Sequence, residues 1–195
     1  MTTRGMPATI AFRRLASRYD DELWELVAGD RGRPPDHLAR FVAGLAPVAR
    51  ALDLGCGDGV LTSILRADRV TAADVSAVAL ARARERMPGA EFAELAPDAP
   101  LPFGDSAFEL VLCAETIEHV RDVQLLLSEI RRVLVPGGRL ALTTPAHRRG
   151  ATPDPLSPHI RFFTRRSLGR LLDTMGFDVV SIERRSGTLL VQACR

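Results

Sequence analysis

Leu52-Asp53-Leu54-Gly55-Cys56-Gly57-Asp58-Gly59 is the stretch on which the reading of this chain turns. An apolar run from Ala51 to Leu54 stops at three glycines on alternate positions, and Val60, Leu61, Ile64 and Leu65 then fall at helical spacing. This order predicts a strand, a tight loop and the start of a helix. A loop without side chains lets backbone N–H groups approach a ligand closely, and the N–H groups of a helix's first turn favour a carboxylate or phosphate. Nineteen positions after Gly55, Asp74 closes a second strand-like run that begins at Arg69. An acidic side chain at that point can take both hydroxyls of a ribose.

Two cofactors carry such a ribose, a nicotinamide dinucleotide and S-adenosylmethionine. The dinucleotide fingerprint is G-x-G-x-x-G, with its third glycine placed for helix packing and a pyrophosphate at the helix end. Here the spacing is G-x-G-x-G, and Asp53 stands two positions before the first glycine. A carboxylate there would repel a pyrophosphate but suit an ammonium or a sulfonium. The stretch resembles motif I of the class I S-adenosylmethionine-dependent methyltransferases, and Asp74 matches their acidic residue at the end of the second strand.

The length of 195 residues suits one well-buried domain. A formal charge of +2, with acids and bases interspersed, leaves no basic field that would argue for nucleic acid. All 26 basic residues are arginine, which fits a GC-rich coding bias and gives no single arginine a special role. Cys56, Cys113 and Cys194 form no C-x-x-C pair, so a reducing cytoplasm is expected and a disulfide scaffold is not. Met1 to Pro7 holds no apolar core of signal-peptide type, and no run reaches the ~20 apolar residues that span a bilayer. A soluble protein without membrane association is therefore expected.

Before the glycine loop, Thr9 can cap a helix carrying Ile10, Phe12, Leu15 and Tyr19. Asp20 or Asp21 can cap another with Leu23, Trp24 and Val27, and Asp36 opens a third with Leu38, Phe41, Val42 and Leu45 on one stripe. From Ala51 onward strand and helix alternate, the pattern of a parallel sheet covered on both faces. Ser76 caps a helix through Met87, Ala90 to Ala93 is a short strand, and Ala107 to Cys113 is a fourth strand. Asp122 caps a helix that Pro136-Gly137-Gly138 stops, and Arg139 to Thr144 is the fifth strand. A proline-rich loop runs from Pro145 to Phe163, a length more often functional than idle. Thr164 then caps the last helix, and Phe177 to Glu183 pairs with Thr188 to Ala193 around Ser186-Gly187 as a hairpin.

Three further segments carry the resemblance. Leu101 to Leu112 is similar to the family's approach to the fourth strand, with Glu109 where Asp is commoner. Val133 to Leu140 resembles its helix-to-fifth-strand turn, and His159 to Thr164 with Leu168, Leu171, Leu172 and Gly176-Phe177 its last helix. The resemblance implies an α/β, Rossmann-like fold. It comprises a seven-stranded, mostly parallel sheet with a C-terminal antiparallel hairpin and helices on both faces. It also implies one methyltransferase domain, residues 1–49 forming a helical cap and 50–195 the cofactor-binding core. S-adenosylmethionine would be the cofactor and a small molecule the acceptor, as in the methyltransferases of ubiquinone and menaquinone biosynthesis.

Carried over residue by residue, the resemblance places Asp53, Gly55, Cys56, Gly57 and Gly59 around the methionine part, Asp74 on the ribose diol and Val75 against the adenine. Cys113 and Ala114 would lie near the sulfonium, and Ala96 or Asp98 where the family holds the adenine through Asp or Asn. Tyr19, Trp24 and His159 are candidates for the substrate pocket. Glu115-Thr116-Ile117-Glu118-His119 follows the fourth strand and should face the transferred methyl, with Glu115, Glu118 and His119 on one side if the backbone turns helically. In-line methyl transfer needs alignment in a dry pocket, and a base only where the acceptor must lose a proton. His119 is the base candidate; a structural histidine beside the cofactor is the alternative, and Glu115 could assist.

Two other functions stay open at this point. Glu-x-x-Glu-His with a later histidine resembles the metal site of the methyltransferases that modify 2′-hydroxyls at small-RNA 3′ ends. That resemblance implies Glu115, Glu118, His119 and His159 as ligands of Mg²⁺ or Mn²⁺. A protein that binds the cofactor without turnover, as a sensor or partner platform, is the other.

Overall fold

The computed structural model describes residues 21–26, 32–148 and 159–195. Seven strands form one sheet in the order β3-β2-β1-β4-β5-β7-β6. They are β1 (Val48–Leu54), β2 (Ala67–Asp74), β3 (Glu91–Glu94), β4 (Phe108–Ala114), β5 (Leu134–Pro145), β6 (Asp178–Arg185) and β7 (Thr188–Cys194). The first five run parallel, and β7 pairs antiparallel with both β5 and β6. Ser186 and Gly187, at φ 47° and 85°, make the tight turn of the closing hairpin.

The helices are the segment 21–26 (α1), Asp36–Ala43 (α2), Ala77–Arg86 (α3), Val123–Val133 (α4) and Arg165–Thr174 (α5). Alternation along the strands sorts them onto two faces. Leu52, Leu54, Val111 and Cys113 point to one face, where Leu127, Ile130 and Val133 of α4 and Leu168 and Leu172 of α5 close over them. Ala51, Leu110 and Leu112 point to the other and meet Val42 and Leu45, while Ala72 meets Leu80 and Ala83 of α3. Three of these helices start at the expected caps. Ser76 accepts from Ala79 N–H, Asp122 from Leu125 N–H and Thr164 from Ser167 N–H. No helix among the described residues is long and apolar enough to cross a membrane.

Two expectations need correction. No helix follows the glycine loop: Thr62–Ile64 forms a single 3-10 turn and β2 begins at Ala67. The few residues between Gly59 and β2 leave room for one turn only. Leu61, Ile64 and Leu65, whose spacing suggested the helix, still pack against the core under α2. Pro136-Gly137-Gly138 does not end before the fifth strand but lies inside β5. The β4 pairing jumps from Phe108↔Leu134 to Leu110↔Arg139, so these residues form a bulge. The helix expected after Thr9, together with Tyr19, and residues 149–158 of the proline-rich loop lie outside the described residues.

Candidate active site

The carboxyl ends of β1, β2 and β4 open into a cavity of about 470 Å³. Ligands of open α/β sheets bind at this edge, and the volume suits a nucleoside-sized molecule. Gly55 and Gly57 form part of its wall, each left-handed at φ 76° and 55°. No other residue serves at either place. A carbon attached at Gly55 would stand 2.3 Å from the Thr116 hydroxyl oxygen, and one at Gly57 would stand 2.7 Å from the Trp24 ring.

Asp74 ends β2 beside them. Its Oδ2 accepts from Gly57 N–H at 2.8 Å and its Oδ1 from Ser76 N–H at 2.9 Å, so the carboxyl group ties the glycine loop to the start of α3. Asp21 on α1 reaches the same corner and accepts from the Ser76 hydroxyl at 2.5 Å. That contact docks α1 over the cavity, where Leu23 and Trp24 complete the wall. The Arg82 guanidinium lies 6.0 Å from the Trp24 ring centroid.

Of the other expected cofactor residues, Val75, Ala96 and Asp98 line the cavity, the last at φ 50°. Asp53, Cys56, Gly59, Cys113 and Ala114 do not; all five are buried. Asp53 is 2% exposed and accepts from the Thr62 hydroxyl at 2.6 Å. Gly59 faces α3, where an added carbon would meet the Met87 methyl at 2.6 Å. Cys56 and Cys113 are buried thiols whose pKa values burial drives well upward, which keeps both as neutral thiols.

The stretch after β4 departs from the helical turn that would align its two glutamates. Glu115 is left-handed at φ 50°, and only Ile117–His119 forms a 3-10 turn. Glu115 and His119 therefore line the cavity, whereas Glu118 is fully buried beneath them. Glu115 accepts from the Thr143 hydroxyl at 2.8 Å. Glu118 Oε2 accepts from Thr144 at 3.0 Å, and its Oε1 has no hydrogen-bond partner. His159 sits outside the cavity with its ring centroid 4.9 Å from that of His119. Burial and the charge of His147 hold its pKa below the ordinary histidine value.

Sequence reasoning passed over Thr116, Arg121, Leu125, Leu126 and most of the Leu95 to Leu101 loop as walls of the cavity. A run of three prolines marked that loop as irregular but carried no sign of what it faces. The electrostatics of the whole corner point one way. Burial raises the carboxyl of Asp53 to about 7, with Asp74 adding to it, and raises those of Asp74 and Glu115 as well. Carboxyl groups held up by burial and by one another are stabilised in ionised form by a nearby cation. The acidic side chains at this corner therefore favour a cation nearby.

Residues 26–182 match the family model described as a methyltransferase domain. The chain belongs to that family, the class I S-adenosylmethionine-dependent methyltransferases. Among relatives of this chain, the trans-aconitate 2-methyltransferase of Variovorax paradoxus is 36% identical over 142 residues, 71% of this chain and 51% of that protein. The chain thus spans about half the length of that relative. Solved structures share the fold at lower identity. The 1,6-didemethyltoxoflavin-N1-methyltransferase of Burkholderia thailandensis, with its substrate and S-adenosylhomocysteine bound, superposes with a TM-score of 0.69 at 22% identity. The superposition covers 100% of this chain and 92% of that one. The [4+2]-cyclase SpnF superposes at 0.72 with 21% identity, over 85% of this chain and 84% of its own. One fold therefore serves different reactions, and the chemistry has to be read from the cavity.

Proposed function

We propose that this methyltransferase moves a methyl group from S-adenosylmethionine to a small-molecule acceptor. The observation that carries the reading is the single cavity wall on which Gly55, Gly57, Asp74, Glu115 and His119 meet. The residues fit the cofactor by their chemistry. Asp74 takes the ribose diol, Val75 and the Leu95 to Leu101 loop with Asp98 enclose the adenine, and the bared backbone of Gly55 and Gly57 admits the methionine part. Asp53, Cys56, Gly59, Cys113 and Ala114 are buried and do not line this space, and the Asp53 carboxyl lies where positive charge is favoured.

When bound, the cofactor supplies a methyl group on a positively charged sulfur. The chain contributes position and dryness: Trp24 and Leu23 on α1 cover the glycine loop, and Leu125 and Leu126 close the opposite side. An acceptor entering past Arg121 meets Glu115 and His119. The imidazole of His119 takes the proton that an acceptor hydroxyl or amine gives up, and Glu115, held by Thr143, orients the acceptor. We place the protein in a reducing cytoplasm, in keeping with its free cysteines. One catalytic domain is inferred, with residues 1–49 as its cap.

Calorimetric titration with S-adenosylhomocysteine tests the reading, with NAD in parallel. Micromolar binding of the first ligand alone is expected, weakened by about 1 to 3 kcal/mol in Asp74→Ala. Turnover is then sought over small acids, phenols and amines, beginning with trans-aconitate because a relative carries that name. Binding of NAD in place of S-adenosylhomocysteine would overturn the cofactor assignment. Binding without turnover across the panel would favour a sensor.

A further inference from the structure

Glu118 is the one buried side chain among the described residues with an oxygen left without a partner. It is fully buried, yet only Oε2 is engaged, by Thr144 at 3.0 Å. An orphaned carboxyl oxygen in a protein interior is costly in its neutral form, and considerably more so when charged. Something outside the protein's own hydrogen bonds fits that oxygen. Within reach are two imidazoles: one ligand atom each from Glu118, His119 and His159 lie within 4.8 Å of one another. The histidine rings meet edge to face, with centroids 4.9 Å apart.

The backbone fixes this meeting independently of the side chains. Ile160 N–H and Arg161 N–H both donate to the Glu118 carbonyl, at 2.9 and 3.1 Å. The segment that carries His159 is thereby clamped to the 3-10 turn that carries the other two residues, although it lies far along the chain.

We propose that Glu118, His119 and His159 bind a divalent transition-metal ion at the edge of the methyl-transfer cavity. Two neutral imidazoles and one carboxylate are a donor set for zinc, cobalt, iron or manganese rather than for magnesium or calcium, which take oxygen. The set differs from the Mg²⁺-type four expected from the sequence, because Glu115 is held by Thr143 on the cavity wall and stays out of the cluster. Metal–ligand bonds of about 2.1 Å place donor atoms about 3 to 4 Å apart, so binding draws the three together by about an ångström. The exposed His119 side chain can make that movement. Three protein ligands leave coordination positions open. His119 also lines the cavity, so an oxygen of the acceptor can occupy one of them and be polarised there. That role rests on the methyl-transfer reading, unlike the metal site itself, and where the metal is bound it replaces His119 as proton acceptor, because coordination occupies the imidazole lone pair.

The test uses the full chain, freed of metal with a chelator and dialysed, then titrated with Co²⁺ by visible absorption and with Zn²⁺ by calorimetry. One Co²⁺ per chain is expected, with visible bands free of thiolate charge transfer, displaced by Zn²⁺ and not by millimolar Mg²⁺. Glu118→Gln, which keeps the side chain's shape, and His159→Ala each weaken binding by about tenfold or more. His37→Ala, at a histidine outside the cluster, leaves it unchanged. Circular dichroism and S-adenosylhomocysteine titration of each variant show that the fold is retained. A folded wild-type chain that binds neither Co²⁺ nor Zn²⁺, or whose binding survives both substitutions, overturns the proposal. Metal binding without S-adenosylhomocysteine binding upholds the metal site and overturns the methyl-transfer reading instead.

Discussion

Replacing Asp53 by Asn changes the pH dependence of stability in a direction that the structure dictates. Asp53 is 2% exposed, its carboxyl accepts from Thr62 at 2.6 Å, and burial raises its pKa from 3.8 to about 7. The folded protein therefore holds a proton that the unfolded chain releases above pH 4. Between about pH 4 and 7 the native state binds more protons than the unfolded state, so stability falls as pH rises through that window and levels off above it. A shift of about three units corresponds to about 4 kcal/mol when fully expressed. Asn has the same shape, keeps an acceptor for the Thr62 hydroxyl and does not ionise. The variant escapes the loss, and its advantage over wild type grows by about 2 to 4 kcal/mol from pH 4 to pH 8. Urea unfolding of both proteins at half-unit pH steps measures this difference, in which most other titrating groups cancel. A gap that stays flat or narrows with rising pH would refute the account and show that the Asp53 carboxylate is ionised at no cost in the folded state.

Gly57→Ala forces a side-chain carbon to within 2.7 Å of the Trp24 ring at a left-handed φ of 55°. About tenfold weaker S-adenosylhomocysteine binding is expected, partly restored in a Gly57→Ala/Trp24→Ala double variant where the overlap is gone. Trp24 is the sole tryptophan and lines the cavity, so its emission should change on S-adenosylhomocysteine binding in the wild type. Leu142→Ala, in the middle of β5 and fully buried, should cost about 2 to 5 kcal/mol in urea unfolding.

The sequence made the sheet legible because each element is punctuated locally. Ser76, Asp122 and Thr164 cap their helices with their own oxygens, and Ser186-Gly187 sets the final turn. The helix after the glycine loop failed because apolar spacing reports which residues are buried and not how much chain is available. Leu61 and Ile64 are packed as a helix would pack them, on a single turn. Gly55, Gly57 and Asp74 meet on one cavity wall, as the sequence order suggested, because their placement depends on backbone position. The faces of Asp53 and Cys113 depend on the pleat at the end of each strand, which buries them on opposite sides of the sheet. That Glu115 and Glu118 part company follows from one residue at positive φ, for which glutamate gives no sequence signal. The pairing of Glu118 with His159 is set by main-chain hydrogen bonds, which leave no trace in side-chain identity.

Asp74 is immobilised before any ligand arrives. Its two oxygens are held by the N–H groups of Gly57 and Ser76, and Ser76 is itself held by Asp21. Freezing a free side chain at a binding site usually costs about 0.5 to 1.5 kcal/mol on association. Here that disorder is removed at folding, and the diol of the proposed cofactor would meet a carboxyl group already aimed, each oxygen retaining a lone pair to offer. Because the same group stitches the glycine loop to α3, residues at this corner are expected to respond together when a ligand docks.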